Sequence, residues 1–122
     1  MKISESLAPF GRIGIMPKKV RPTDPEWSPE LDAALVAYGT AVRMQILRHL
    51  RRVGPSMRYQ IAEGTGISQS ILAQSLSKLE AIGVIVVNLP ASERSTRALT
   101  YALDSARADY LLSLIQSYVR AQ

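Results

Sequence analysis

Between Leu31 and Leu50 the apolar residues return every three or four positions. Leu31, Ala34, Leu35 and Tyr38 mark one face of a first helix, and Val42, Ile46, Leu47 and Leu50 mark one face of a second. Steps of three and four bring a helix back to the same side, so both segments predict amphipathic helices. Local signals agree. Ser28-Pro29-Glu30 supplies an N-cap, a proline suited to the first helical position and an acid at the positive end of the dipole. Gly39 ends the first helix, Thr40 restarts the chain, and Gly54-Pro55 closes the second, whose polar sides carry Arg43, Arg48, Arg51 and Arg52.

A third and a fourth helix follow in close order. Ser56 is placed to cap a short one, Met57 to Glu63, that buries Ile61 and Ala62. Gly64-Thr65-Gly66 makes a turn. Ser68 then opens a longer helix as its N-cap, with a hydroxyl expected to accept from first-turn amides. Leu72, Leu76 and Leu79 recur on the buried side, Ser70, Gln74, Ser77 and Lys78 fall opposite, and Gly83 closes the helix. An exposed face rich in Gln and Ser, with few acids, suits base edges and phosphates. After Gly83 the period changes. Val84-Ile85-Val86-Val87 is β-branched throughout and predicts a strand. Leu89 to Thr96 holds turn formers and charges; Leu99, Tyr101 and Leu103 then alternate with Ala98, Thr100 and Ala102, the period of a half-exposed strand. The two strands predict an antiparallel hairpin. Asp104 or Ser105 caps a last helix with Ala108, Leu111, Leu112, Ile115, Tyr118 and Val119 on one stripe.

The segment before the first helix differs. Pro9, Pro17, Pro22 and Pro25 interrupt residues 1–27, and Lys18, Lys19 and Arg21 form a basic knot. Proline is excluded from helix interiors and removes a ladder donor, so this stretch reads as a largely irregular basic arm, either solvated or laid along DNA or a partner subunit. Met16-Pro17-Lys18-Lys19 also reads as an alternative start. Residues 28–122 then form one domain ending in a dimerisation helix.

Composition narrows the chemistry. A chain of 122 residues, 47% hydrophobic, supports one domain with a real core. The absence of cysteine excludes disulfides, thiolate metal sites and thiol catalysis. The single histidine, His49, lies among Arg48, Arg51 and Arg52, surroundings that disfavour a metal ion, and reads as structural. No metal or other cofactor is expected. The chain shows no His–carboxylate pair in sequence reach, no base for its serines and no phosphate-cradling glycine loop, so an enzyme is not expected. A net charge of +5 favours an anionic partner. No apolar run is long enough to span a bilayer, and the N-terminus lacks the apolar core of a secretory signal; the expected location is the cytoplasm.

The order helix, helix, helix, helix, hairpin, helix predicts a mainly α fold with a small β-hairpin, a winged helix-turn-helix. The third helix would buttress the fourth, whose N-terminal half enters the major groove, and the hairpin tip would lie over the neighbouring backbone or minor groove. Gly39-Thr40-Ala41-Val42-Arg43-Met44-Gln45-Ile46-Leu47-Arg48-His49-Leu50 resembles the opening helix of the arsenical-repressor (ArsR) family. Ile61-Ala62-Glu63-Gly64-Thr65-Gly66-Ile67-Ser68-Gln69-Ser70 resembles that family's helix-turn-helix, and Leu76-Ser77-Lys78-Leu79-Glu80-Ala81-Ile82-Gly83-Val84-Ile85 its continuation into the wing. The resemblance spans Leu31 to Tyr118 and implies dimeric, sequence-specific repressors of palindromic operators. Metal-sensing members carry cysteines in the helix before the turn, or His and carboxylate ligands in the last helix. Here Met57-Arg58-Tyr59-Gln60-Ile61-Ala62 has no cysteine, and the last helix offers Asp104 and Asp109 without a histidine. Metal sensing is therefore not expected, and the residues leave a small-molecule effector unidentified.

Candidate contacts follow from residue type. Gln69, Ser70 and Gln74 are the expected base readers, because a Gln amide both donates and accepts and so matches N6 and N7 of adenine. Ser75 is placed with them. Ile71 either touches a thymine methyl or packs under the third helix. Ser68, Lys78 and Arg58 are expected on phosphates, and Tyr59 either joins them through its hydroxyl or caps the core. Arg94 and Arg97, at the hairpin tip, suit a phosphate or a narrow minor groove. Leu111, Leu112, Ile115 and Val119 are expected to meet Leu31, Leu35 and Tyr38 of a second chain, setting two recognition helices about 34 Å apart. The same stripe could instead complete the monomer's own core. The expected function is a sequence-specific, double-stranded-DNA-binding transcriptional regulator, a dimeric repressor on an inverted repeat. The alternative is a winged-helix protein–protein interaction module without DNA binding.

Overall fold

The computed structural model describes residues 23–94 and 98–121. Helices α1 (Pro29–Tyr38) and α2 (Ala41–Val53) lead to a two-residue strand β1 (Ser56–Met57), helices α3 (Arg58–Thr65) and α4 (Gln69–Ala81), strands β2 (Ile85–Val87) and β3 (Thr100–Leu103), and helix α5 (Ser105–Val119). Most of the arm expected at residues 1–27, with the basic knot and Met16, lies outside the described residues.

Caps set the helix starts. Ser28 Oγ accepts from the Leu31 amide at 3.2 Å, Thr40 Oγ1 from Arg43 at 3.2 Å and Asp104 Oδ1 from Arg107 at 3.0 Å. Helix α4 ends in a Schellman turn. The Gly83 amide donates to the Glu80 carbonyl at 3.0 Å and the Val84 amide to the Leu79 carbonyl at 3.2 Å. Gly83 takes φ 84° there, a conformation that costs a residue with a Cβ.

The expectation for Ser56 fails. It lies in β1 and is buried, its hydroxyl donates to the Gly54 carbonyl at 2.8 Å, and His49 Nε2 stands 3.3 Å away. Helix α3 starts two residues later, and Gln60 Oε1 accepts from the Met57 amide at 2.8 Å. The expected hairpin is widened by β1 into a three-stranded antiparallel sheet in the order β1-β3-β2. Ser56 and Val87 flank Tyr101 from either side. A strand of two residues has no period to read, and Gly54-Pro55 signals only that a helix stops.

One core ties the elements together. Ile46, Leu47 and Leu50 of α2, Ile61 of α3, Leu72, Leu76 and Leu79 of α4, and Val84, Ile85, Tyr101 and Leu111 pack in a single cluster. Each buried leucine contributes about 1.5–3 kcal/mol relative to exposure, so α4 is held firmly from behind. Helix α3 comes close to α2 at Gly64, where an added Cβ would stand 2.6 Å from His49 Cε1. Helix α1 lies on α5. Tyr38 donates its hydroxyl proton to the Ala108 carbonyl at 2.7 Å, and Arg107 grips Glu30 at 2.8 and 2.9 Å. That hydrogen-bonded guanidinium holds the Glu30 carboxyl below its ordinary range, while burial pushes the Tyr38 hydroxyl up. Ahead of α1, Trp27 meets Tyr118 edge to face at 5.3 Å between ring centroids, and Asp24 accepts from the Tyr118 hydroxyl. Among the described residues, no helix is long and apolar enough to cross a membrane.

Candidate nucleic-acid interface

Successive residues of a helix advance by about 100°, so leucines at positions 72, 76 and 79 commit one side of α4 to the core. All three are buried. Ser70, Gln74, Ser77 and Lys78 are exposed on the other sides, as the polar reading requires. Gln69 is exposed at the start of the helix, where α3 and the wing approach it. Ile71 is 49% exposed, so it does not pack under α3. It stands instead over the start of α2, in a shallow depression of about 200 Å³ shared with Thr40, Val42, Arg43, Gln74 and Lys78.

A second hollow, of about 360 Å³, lies where α3, α4 and the wing meet. It brings together Arg58 and Tyr59 from the start of α3, Gln69 from the start of α4, and Arg94, Leu99 and Tyr101 from the wing. Four expected contact residues separated by 36 positions of sequence thus line one cleft. Tyr59 is 55% exposed and does not cap the core.

Three expectations change. Ser75 is 6% exposed: it lies three residues after Leu72 and four before Leu79, on the leucine side, and contributes only to the floor of the depression beside Ile71. Ser68 is the N-cap by backbone position, but its hydroxyl makes no capping hydrogen bond and remains exposed. Arg94 is not a free cation at a loop tip. Both guanidinium ends meet Glu80, at 3.0 and 2.6 Å, and its Nε donates to the Leu89 carbonyl at 2.8 Å. The reason is tertiary: the short 3-10 turn at Ala91–Glu93 folds the wing back over the end of α4. Arg97 lies outside the described residues.

Thr40 and Arg43 join this surface without a local signal for it: by sequence Thr40 is the restart of the chain and Arg43 part of a charged face. Their place beside Ile71 and Gln74 follows from how α2 crosses α4. Arg43 Nε donates to the Val36 carbonyl, which fixes it at that edge.

Comparisons with known proteins bear on the same region. The sequence model of the family "Bacterial regulatory protein, arsR family" matches residues 40–86, which run from the cap of α2 through α4 into β2. The matched segment resembles the helix-turn-helix of that family, and the chain as a whole has a winged helix-turn-helix fold. Its fold is similar to that of an ArsR-like transcriptional regulator from Rhodococcus sp. RHA1, with TM-score 0.59 and 20% identity over 75% of this chain and 81% of that one. It is also similar to that of a second ArsR family transcriptional regulator, with TM-score 0.58 and 17% identity over 75% of this chain and 94% of that one. No curated protein matches the sequence.

The remaining predicted residues divide into two groups. Leu31 and Leu111 are buried within the chain, and Tyr38 is half-buried with its hydroxyl tied to Ala108. These three close the packing of α1 on α5 and are not free for a second chain. Ile115 is half-buried against the same core. Leu35, Leu112 and Val119 stay 46%, 38% and 75% exposed. The apolar stripe on each helix is wider than the intramolecular contact, and its outer edge is left uncovered. Among the described residues, no group of three or more His, Asp or Glu is placed to hold a metal ion.

Proposed function

We propose that this chain is an ArsR-like transcriptional regulator, a homodimeric repressor that reads an inverted-repeat operator with the exposed face of α4. The observation that carries the reading is the division of that helix. Gln69, Ser70, Gln74, Ser77 and Lys78 are open to solvent while Leu72, Leu76 and Leu79 anchor it from behind. A rigidly held helix with a free polar face is what major-groove readout needs. Gln69 and Gln74 supply paired donor and acceptor groups for adenine, and Ile71 an apolar contact for a thymine methyl. Arg58, Tyr59, Ser68 and Lys78 surround that face and supply phosphate contacts that fix register.

Two copies joined through the uncovered edges of α1 and α5, at Leu35, Leu112 and Val119, would present two such faces related by a two-fold axis. The matching DNA is a palindrome with half-sites about one helical turn apart. Repression follows by occlusion of a promoter that contains the site. The test is selection of bound sequences from a random duplex pool at fixed salt, followed by gel-shift titration of the winner. The expected product is an inverted repeat bound about 10³-fold or more tighter than random duplex. Recovery of asymmetric sequences, or equal affinity for all duplexes, rejects the proposal.

A further inference from the structure

A cleft of about 530 Å³ opens between α2 and the end of α3, lined by Gln45, Arg48, His49, Arg52, Gly64 and Thr65. None of these residues belongs to the interface described above. The volume suits a small molecule, not a macromolecule.

The charges of α2 give the cleft its character. The helix contains no acidic residue. Of its four arginines, Arg43 is engaged by the Val36 carbonyl and Arg51 by Asp109 at 2.6 Å. Arg48 and Arg52 stand one turn apart, both line the cleft, and neither meets a carboxylate among the described residues. Like charges at that spacing repel, which an anion seated between them would reverse. Guanidinium forks suit carboxylate and phosphate oxygens, and the Gln45 amide adds a neutral donor at the same wall. The opposite wall is firmly built. Gly64 lets α3 approach the His49 ring so closely that a Cβ would stand 2.6 Å from Cε1, and Ser56 Oγ lies 3.3 Å from the ring's Nε2.

We propose that this cleft binds a small anionic molecule bearing a phosphate or carboxylate, gripped by Arg48 and Arg52. The proposal does not depend on how α4 reads DNA. The same guanidinium groups could in principle meet DNA phosphates, and the experiment separates the two sources.

The full chain is titrated with inorganic phosphate, and with sodium chloride at the same ionic strength and pH. The ring signals of His49, the sole histidine, and the amide of Gly64 report occupancy by NMR. Both signals are expected to shift saturably with phosphate and not with chloride. The R48Q/R52Q variant should weaken that response about tenfold or more, because charge-assisted hydrogen bonds are lost. R48K/R52K keeps the charge without the fork and should fall between the two. A response that does not saturate, or that saturates equally in R48Q/R52Q, overturns the site. The same variants are measured on duplex DNA across a salt series, where an unchanged slope is expected. A slope reduced by about two phosphates, with no saturable phosphate response in the parent, assigns the arginines to the DNA backbone and also overturns the small-anion site.

Discussion

Arg94 of the wing and Glu80 at the end of α4 form a two-pronged ion pair, with nitrogen–oxygen distances of 3.0 and 2.6 Å across 14 positions of sequence. The pair neutralises the one acid of α4 and fixes the wing against that helix. The two partners should therefore act in opposite directions on DNA affinity. Glu80→Ala frees a cation beside the groove, tightening binding to any duplex and steepening the salt dependence by about one phosphate. Arg94→Ala leaves Glu80 uncompensated and weakens binding to all sequences. A fluorescence-anisotropy salt series reads both slopes; an identical slope in Glu80→Ala and the parent would show that Arg94 makes no use of its release.

Base readers and phosphate readers should separate in the same assay. Gln74→Ala is expected to cost about 1–3 kcal/mol on the selected operator and almost nothing on random duplex. Lys78→Ala should weaken both duplexes alike and lower the salt slope by about one.

Dimerisation and folding should separate in α5. Leu112→Glu and Val119→Glu place charge on the uncovered edge and are expected to yield folded monomers by sedimentation equilibrium. Leu111→Ala empties a fully buried site and should cost about 2–5 kcal/mol of stability by denaturant titration, whatever the oligomeric state.

Gly64 should tolerate a methyl group only when His49 is gone. Within a helix, Gly→Ala ordinarily gains up to about 1 kcal/mol, but here the new Cβ meets the imidazole at 2.6 Å. Gly64→Ala is expected to destabilise the parent by about 1–3 kcal/mol and to stabilise the His49→Ala background. Equal effects in the two backgrounds would deny the close approach.

Acid should loosen α1 from α5 through one identifiable pair. The Glu30 carboxyl is held below its ordinary range by the Arg107 hydrogen bonds. A depressed carboxyl contributes stability above its unfolded value and loses it as pH falls through the folded one. Thermal unfolding from neutral pH down through the carboxylate range should therefore show a loss that Glu30→Gln reduces. Parallel curves for parent and variant would remove the pair from the account.

Much of this molecule is legible in local signals. Ser28, Thr40 and Asp104 announce helix starts, Gly83 announces a stop, and the leucines at 72, 76 and 79 announce which side of α4 is buried; each is decided within a few residues. Ser75 was equally legible, since its spacing from Leu72 and Leu79 already puts it among the leucines. Other features were not. Strand β1 exists because β3 offers Ser56 and Met57 an edge, and no local period records that.

What the sequence determined by itself is the list of elements and the polar face of α4, because caps, turns and helical spacing act over distances of one or two turns. The tertiary structure decided which of those groups are free. Arg94 is bound because the wing folds over Glu80, Leu31 and Leu111 are covered because α1 lies on α5, and Arg48 and Arg52 share a cleft because Gly64 brings α3 against His49. Those outcomes depend on packing between segments far apart in the chain, where the free energy of contact, and not local propensity, sets the position of each side chain.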